Sequence, residues 1–308
     1  MKLHFLKGLA ALLLTTLAAF DASAAGGYVN CKIQNLGSAT AVYSFLTSGK
    51  TSRQVNFEVY CERLSDTGGQ TTTTVTYAVA ANNGIGQAAT PPSTQNKAKY
   101  NGGILNYDLY TDSTCNTLWA GVPPVSYTIV SGTEFSPAKP HNFYICINPG
   151  LSVADGTYDD TVNLTLTGST SNGSVVFSPA VSAVTPVAVH IITPPVCTLA
   201  SPLNNVNFDT YAAFGNALAR TVNMNATCSD TFPYTMSIPT ANTYGVLAGL
   251  NYSLSFSNTS ITNTVNVIGT GGVKGTPLYA KMAAGQAGTC TTTSGCTAST
   301  PVTLTITY

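Results

Sequence analysis

The chain is internally repeated, and the repeat consists of alternating apolar runs anchored on cysteines. Cys31 and Cys61 lie 30 residues apart, Cys197 and Cys228 lie 31 apart, and Val55-Asn56-Phe57 precedes Cys61 at the distance at which Val222-Asn223-Met224 precedes Cys228. Leu105-Asn106-Tyr107-Asp108-Leu109 is echoed by Leu250-Asn251-Tyr252-Ser253-Leu254, and Val130-Ser131-Gly132-Thr133 by Val267-Ile268-Gly269-Thr270. The last anchor sets Val162, Leu164 and Leu166 against Val302, Leu304 and Ile306, with Asn or Thr at the positions between. Apolar residues at every second place make a strand with one buried face. Two homologous β-domains therefore stand in tandem. With no sustained 3.6-residue periodicity and with Gly, Pro and Asn turns recurring throughout, the expectation is an all-β fold of two tandem immunoglobulin-like β-sandwich domains.

The amino terminus indicates export. Lys2 and Lys7 precede an apolar run from Gly8 to Phe20, and Ala22-Ser23-Ala24 supplies the small-residue pattern of a cleavage site. Residues 1–24 read as a signal peptide, because the alternative, a membrane anchor, needs a longer apolar run. The domains are then expected over 25–188 and 189–308. Twelve basic and twelve acidic residues, only 8% of the chain, leave no basic stripe for nucleic acid and no polybasic membrane patch.

Eight cysteines follow the signal segment, an even number that reads as disulfides in an exported chain. Zinc is the competing reading, but no Cys-x-x-Cys occurs, and the two histidines of that region, His141 and His190, stand far from any cysteine cluster. The repeat pairs Cys31 with Cys61 and Cys197 with Cys228. Cys115 with Cys146 and Cys290 with Cys296 follow by remainder.

Catalytic signatures are weak. Ser136-Pro137-Ala138-Lys139 has Ser-x-x-Lys spacing, but that chemistry needs both side chains on one helical face, and Pro137 lies outside any helical pattern. Asp155, Asp159 and Asp160 lack the order of a calcium loop and read as a turn. No Gly-x-Ser-x-Gly elbow occurs, and the Gly269–Thr276 run lacks phosphate-loop spacing. No enzyme activity, no metal and no cofactor are expected.

Several segments resemble the spore coat protein U domain family. They are CTLASPLNNVNFDTY from Cys197 to Tyr211, YTMSI, LNYSL, YAKMAAGQ from Tyr279 to Gln286, and the final TLTITY. In the first copy LNYDLYTD, CNTLW from Cys115 to Trp119, and GTYDDTVNLTLTG resemble it more closely. The second copy departs from the family by lacking the Gly-x-Tyr-x-Asp turn before its last strand, where Cys290 and Cys296 stand instead. The family includes subunits of archaic chaperone-usher pili, and a tandem pair is similar to their two-domain tip adhesin. This resemblance implies a periplasmic pilus chaperone, an outer-membrane usher and an adjacent pilin subunit that donates a strand. It also implies export to the periplasm and display at the pilus tip on the cell surface.

The two copies differ where such assembly would act. After Leu166 the first copy continues through Val181 to Ile192, which can supply its own last strand, whereas the second stops at Tyr308. The second domain is expected to lack that strand and to offer an acceptor groove lined by Val302, Leu304, Ile306 and Tyr308. A smaller sandwich closed by another strand is the plainer alternative. Only Ala25 to Asn30 separate the cleavage site from Cys31, too few to donate a strand, so the chain is expected at the end of a head-to-tail fibre.

The first copy also carries more connecting sequence, 44 positions from Cys61 to Leu105 against 22 from Cys228 to Leu250. Long loops on a rigid β-scaffold are where recognition concentrates. Apolar tips expected to grip an abiotic or host surface are Ile85, Pro91 and Pro92, then Val122, Pro123 and Pro124, then Leu151 and Val153. Archaic tip adhesins attach to hydrophobic surfaces through such loops, so the resemblance implies attachment and biofilm formation. The alternatives are a structural pilus or coat subunit, a lectin-like adhesin for a glycan receptor, and, for Trp119, a place in the core.

Overall fold

A computed structural model of the chain describes residues 28–63, 72–82, 84, 96–130, 138–171, 176–178, 183–200, 205–290 and 296–308. The first domain contains β1 (Tyr28–Gln34), β2 (Ala39–Val42), β3 (Thr51–Arg63), β4 (Thr72–Ala81), β5 (Asn96–Tyr100), β6 (Gly103–Tyr110), β7 (Val122–Val130), β8 (Lys139–Ile147), β9 (Gly156–Thr170), β10 (Val176–Ser178) and β11 (Ala183–Thr193). One layer runs β10-β1-β3-β8-β6. The other runs β2-β11-β9, with β4 and β7 beyond the later part of β9 and β5 beside its start. The β5–β6 hairpin carries the sheet from one layer into the other.

Alternation decides which residues meet between the layers. Val55, Phe57 and Val59 of β3 and Phe143, Ile145 and Ile147 of β8 face Val162, Leu164 and Leu166 of β9 and Val187, Val189 and Ile191 of β11 in one core. The residues between them face outward, as the period of two requires.

The second domain contains β12 (Cys197–Leu199), β13 (Leu218–Cys228), β14 (Pro233–Ser237), a 3₁₀ turn (Thr240–Asn242), β15 (Tyr244–Leu247), β16 (Leu250–Ser255), β17 (Thr264–Ile268), β18 (Val273–Met282) and β19 (Thr305–Thr307). Its layers are β12-β13-β18-β16-β15 and β17-β14-β19, around Met224, Tyr234, Met236, Leu254, Leu278 and Ala280.

All four expected disulfides are present, each within one domain. Cys31 faces Cys61 across β1 and β3, and Cys197 faces Cys228 across β12 and β13, so the repeat seen in the spacing is a repeat of cross-strand pairing. Cys115–Cys146 ties the connection after β6 to β8.

Residue 188, where the first domain is expected to end, lies within β11. β11 pairs along β9 as far as Thr193 opposite Gly156, so the first sheet continues past that point and the linker is 194–196. The Thr193 hydroxyl is within 2.8 Å of the Ala154 carbonyl and 3.0 Å of that of Gly156. Beyond the linker, the Val196 N–H donates to the Ser229 hydroxyl at 3.0 Å, and the Ser229 N–H donates to the Val196 carbonyl at 2.9 Å. The expected signal peptide falls outside the described residues.

Candidate functional site

The two domains share one register at their last common strand. Val79 of β4 pairs with Leu166 of β9, and Met236 of β14 pairs with Ile306 of β19. On its other side β9 is covered from Gly156 to Leu166 by β11, which in turn pairs in parallel with β2. β19 has no such cover: among the described residues its only ladder partner is β14.

The opposite wall of the same place is uncovered too. Ala39 and Ala41 stand eight and ten residues after Cys31 and are buried in β2 beside β11. Val206 and Phe208, nine and eleven residues after Cys197, lie in a stretch without strand pairing and are only partly buried. A strand forms at β2 because β11 offers it a ladder; the 205–208 stretch has no such partner. In the first domain β11 stands between β9 and β2, and among the described residues of the second domain no strand fills the corresponding slot between β19 and the 205–208 stretch.

The apolar side chains of both segments are only partly buried. Val302, Leu304 and Ile306 pack against the second core without being enclosed, as do Leu199, Val206, Phe208 and Val222. Their first-domain equivalents Val162, Leu164 and Leu166 are each 0% exposed. In β13, Leu218, Arg220 and Val222 are partly exposed while Met224, Ala226 and Cys228 are buried, so exposure is confined to one half of the strand. The nearby charges, Arg220 and Asp209, pair with each other at 2.8 Å. Tyr308, expected in the groove, is 62% exposed and meets Phe232 edge-on. Val206 and Phe208 were missed by sequence reasoning, although their alternation after Cys197 mirrors that of Ala39 and Ala41.

The expected surface tips that are described differ in exposure. Val122 is not a tip: it is 8% exposed, pairs with Val79 in β7, and faces the core because its position in the alternation points inward. Pro123 and Pro124 are exposed on β7 where its register against β4 shifts. Proline lacks the N–H that a ladder needs, and a bulge at a sheet edge is a place that accepts it. Leu151 and Val153 are partly buried against the first core. The Leu151 N–H donates to the Tyr43 hydroxyl at 2.7 Å, and that hydroxyl lies 3.2 Å from the Leu151 carbonyl, which pins the loop down. Ile85, Pro91 and Pro92 lie outside the described residues.

Trp119 belongs with the core, stacked on Phe143 at 4.9 Å and edge-on to Phe57. The Gly-x-Tyr-x-Asp turn has structural duties. Gly156 lies under the Tyr100 ring, Tyr158 donates to the Ala154 carbonyl, and Asp160 accepts the Tyr107 hydroxyl at 2.8 Å. Burial raises the Tyr107 phenol above its ordinary value, with the Asp160 charge adding to the effect. Tyr77 and His141 meet at 2.7 Å; burial pushes the phenol up to about 12 and holds the imidazole below its usual range.

Residues 16–165 match the model of the Spore Coat Protein U domain. Among solved structures, a chain of the CsuC–CsuE chaperone–tip adhesion subunit pre-assembly complex from archaic Csu pili of Acinetobacter baumannii is similar. It is 19% identical, with 90% of this chain and 100% of that chain covered and a TM-score of 0.49. The CupB6 tip adhesin of Pseudomonas aeruginosa is similar at 13% identity, with 84% and 89% covered and a TM-score of 0.39. No curated protein sequence matches the chain.

Proposed function

We propose that this protein is the tip adhesin subunit of a chaperone-usher pilus, with no enzymatic role. The observation that carries the reading is the contrast between β9, closed by β11, and β19, whose outer side has no partner among the described residues. A closed domain accepts no strand, so the single acceptor site belongs to the second domain and the first is free to face outward. An extended segment with apolar residues at alternate positions fits the slot, pairing with β19 and with the 205–208 stretch as β11 pairs with β9 and β2. An adjacent pilin would supply it in the fibre. A periplasmic chaperone would cover the slot beforehand, and an outer-membrane usher would exchange the two.

Attachment is assigned to the first domain, on an uncharged outward face of its sheet. Pro123 and Pro124 adjoin the outward rows of Ala78 with Thr167 and of Ala80 with Thr165 and Val184. These positions carry no charge, and Val184 is 54% exposed. Such a face leaves water readily against an apolar surface, gaining about 25 cal/mol for each Å² of apolar area covered.

The test is co-purification. The full chain should be recovered with the chaperone, and a peptide of alternating apolar residues should displace it. Equal chaperone capture after Leu304→Asp and Ile306→Asp would refute the acceptor role. For attachment, Pro124→Lys with Val184→Lys should lower adhesion to polystyrene while leaving the fold intact; undiminished adhesion would reject the face.

A further inference from the structure

We propose that the cleft between the two domains is a binding site for a neutral carbohydrate. This goes beyond the fibre-subunit reading and does not depend on it.

The cleft measures about 460 Å³, within the range of roughly 300–1,000 Å³ usual for small-molecule sites. Its lining includes Tyr100 and Asn101 at the β5–β6 hairpin, Ser152 and Asp155 from the loop before β9, Tyr158 of β9, and Asp230 from the second domain. Ala154 and Asp230 form a parallel bridge across the junction, and the space a Cβ on Gly271 would fill is taken by the Ser152 side chain. With the linker bonded to both domains, these contacts hold the two walls together without a ligand.

Two features distinguish this cleft from an ordinary crevice. The first is an aromatic pair: the Tyr100 and Tyr158 rings lie 5.6 Å apart at 56°. Glycine permits it, since a Cβ on Gly156 would stand 2.3 Å from the Tyr100 ring and one on Gly103 3.3 Å from the Tyr158 hydroxyl. The second is the polar set. Asp155 and Asp230 form no ion pair among the described residues, no lysine or arginine lines the cleft, and Asn101 and Ser152 add donors beside the carboxylate acceptors.

A sugar ring combines one face of C–H groups with a rim of hydroxyls that both donate and accept. The partly exposed Tyr100 ring, backed by the buried Tyr158, suits the first and the Asp, Asn and Ser groups the second. An anion would be repelled by both carboxylates. A simple amine would satisfy them but leave the Asn101 and Ser152 donors without acceptors.

The experiment titrates the full chain with lactose, maltose and N,N′-diacetylchitobiose, followed by saturation-transfer NMR and calorimetry. At least one should bind with one-to-one stoichiometry, little affected by high salt. Tyr100→Ala and Asp230→Asn should each weaken it about tenfold or more, the effect of removing one stacking face or one charged hydrogen-bond acceptor. Arg53→Ala, at an exposed position of β3, should change nothing. Because Asp230 lies in the second domain, its effect distinguishes a shared cleft from a site confined to the first. If Tyr100→Ala loses its near-ultraviolet dichroism, Asn101→Ala takes its place. The proposal is overturned if none of the three sugars binds, if binding survives both substitutions, or if it collapses with salt and yields to 1,6-diaminohexane, which would mark a cation site.

Discussion

Leu166 and Ile306 occupy the same place in two copies of one fold, opposite Val79 and Met236 respectively, yet Leu166 is sealed beneath β11 and Ile306 is only partly covered. Sequence and neighbouring strand are alike at the two positions; what differs is a strand on the other side. Fully covering an aliphatic side chain of this size is worth about 1.5–3 kcal/mol. Enclosing Val302, Leu304 and Ile306 together therefore gives an incoming strand several kcal/mol before its ordering entropy is subtracted.

The crosslinks should confine themselves to single domains. Non-reducing peptide mapping is expected to return Cys31–Cys61, Cys115–Cys146, Cys197–Cys228 and Cys290–Cys296. Replacing Cys115 and Cys146 together by Ser should destabilise the first domain by roughly 3–4 kcal/mol, the loop-closure value for this span, while the second domain's melting transition stays in place. A peptide joining cysteines of both domains would contradict the assignment.

Val122 and Pro124 should separate in a stability measurement. Val122→Ala removes buried methyl groups and is expected to cost about 1–3 kcal/mol in denaturant unfolding. Pro124→Ala, at an exposed bulge, should stay within about 0.5 kcal/mol. The same variant should aggregate more readily, since a residue that blunts the β7 edge has been removed. Equal costs at the two sites would contradict the placement of Val122 in the core.

Asp108 makes stability depend on pH. Burial raises its carboxyl from 3.8 to about 6, with the Lys50 charge opposing the shift. The fold holds this proton more tightly than the unfolded chain does, so the stabilisation is fully present below pH 3.8 and is lost as pH rises through about 6. Asp108→Asn should stabilise the protein near neutrality by about 1 kcal/mol, allowing for solvent screening, and be neutral in acid. Urea titrations at the two pH values check this; a destabilised variant near neutrality would reverse the sign.

Much of the architecture was legible because strand alternation and cysteine spacing are local signals. The β9 pattern at Val162, Leu164 and Leu166, the cross-strand pairs at Cys31–Cys61 and Cys197–Cys228, and the apolar row Val302, Leu304 and Ile306 against the second core all follow from period and repeat. Tyr308 shows the limit: expected in the groove with Val302, Leu304 and Ile306, it meets Phe232 edge-on. Val122 shows another: in Val-Pro-Pro-Val the prolines read as a loop, whereas a bulge keeps both valines directed inward on one strand. Leu151 is held by Tyr43, 108 residues away in sequence, and the cleft takes Asp230 from the other domain. Contacts of that range depend on how the sheets close, which no local pattern records.

Hydrogen exchange on the full chain, comparing β9 with β19, tests the acceptor groove most directly. The account predicts strong protection along β9 and weak protection at Thr305, Ile306 and Thr307, with the β19 amides and those of the 205–208 stretch becoming protected together when an alternating apolar peptide is added. Protection of β19 equal to that of β9 without any peptide, or a peptide that protects neither segment, would contradict it.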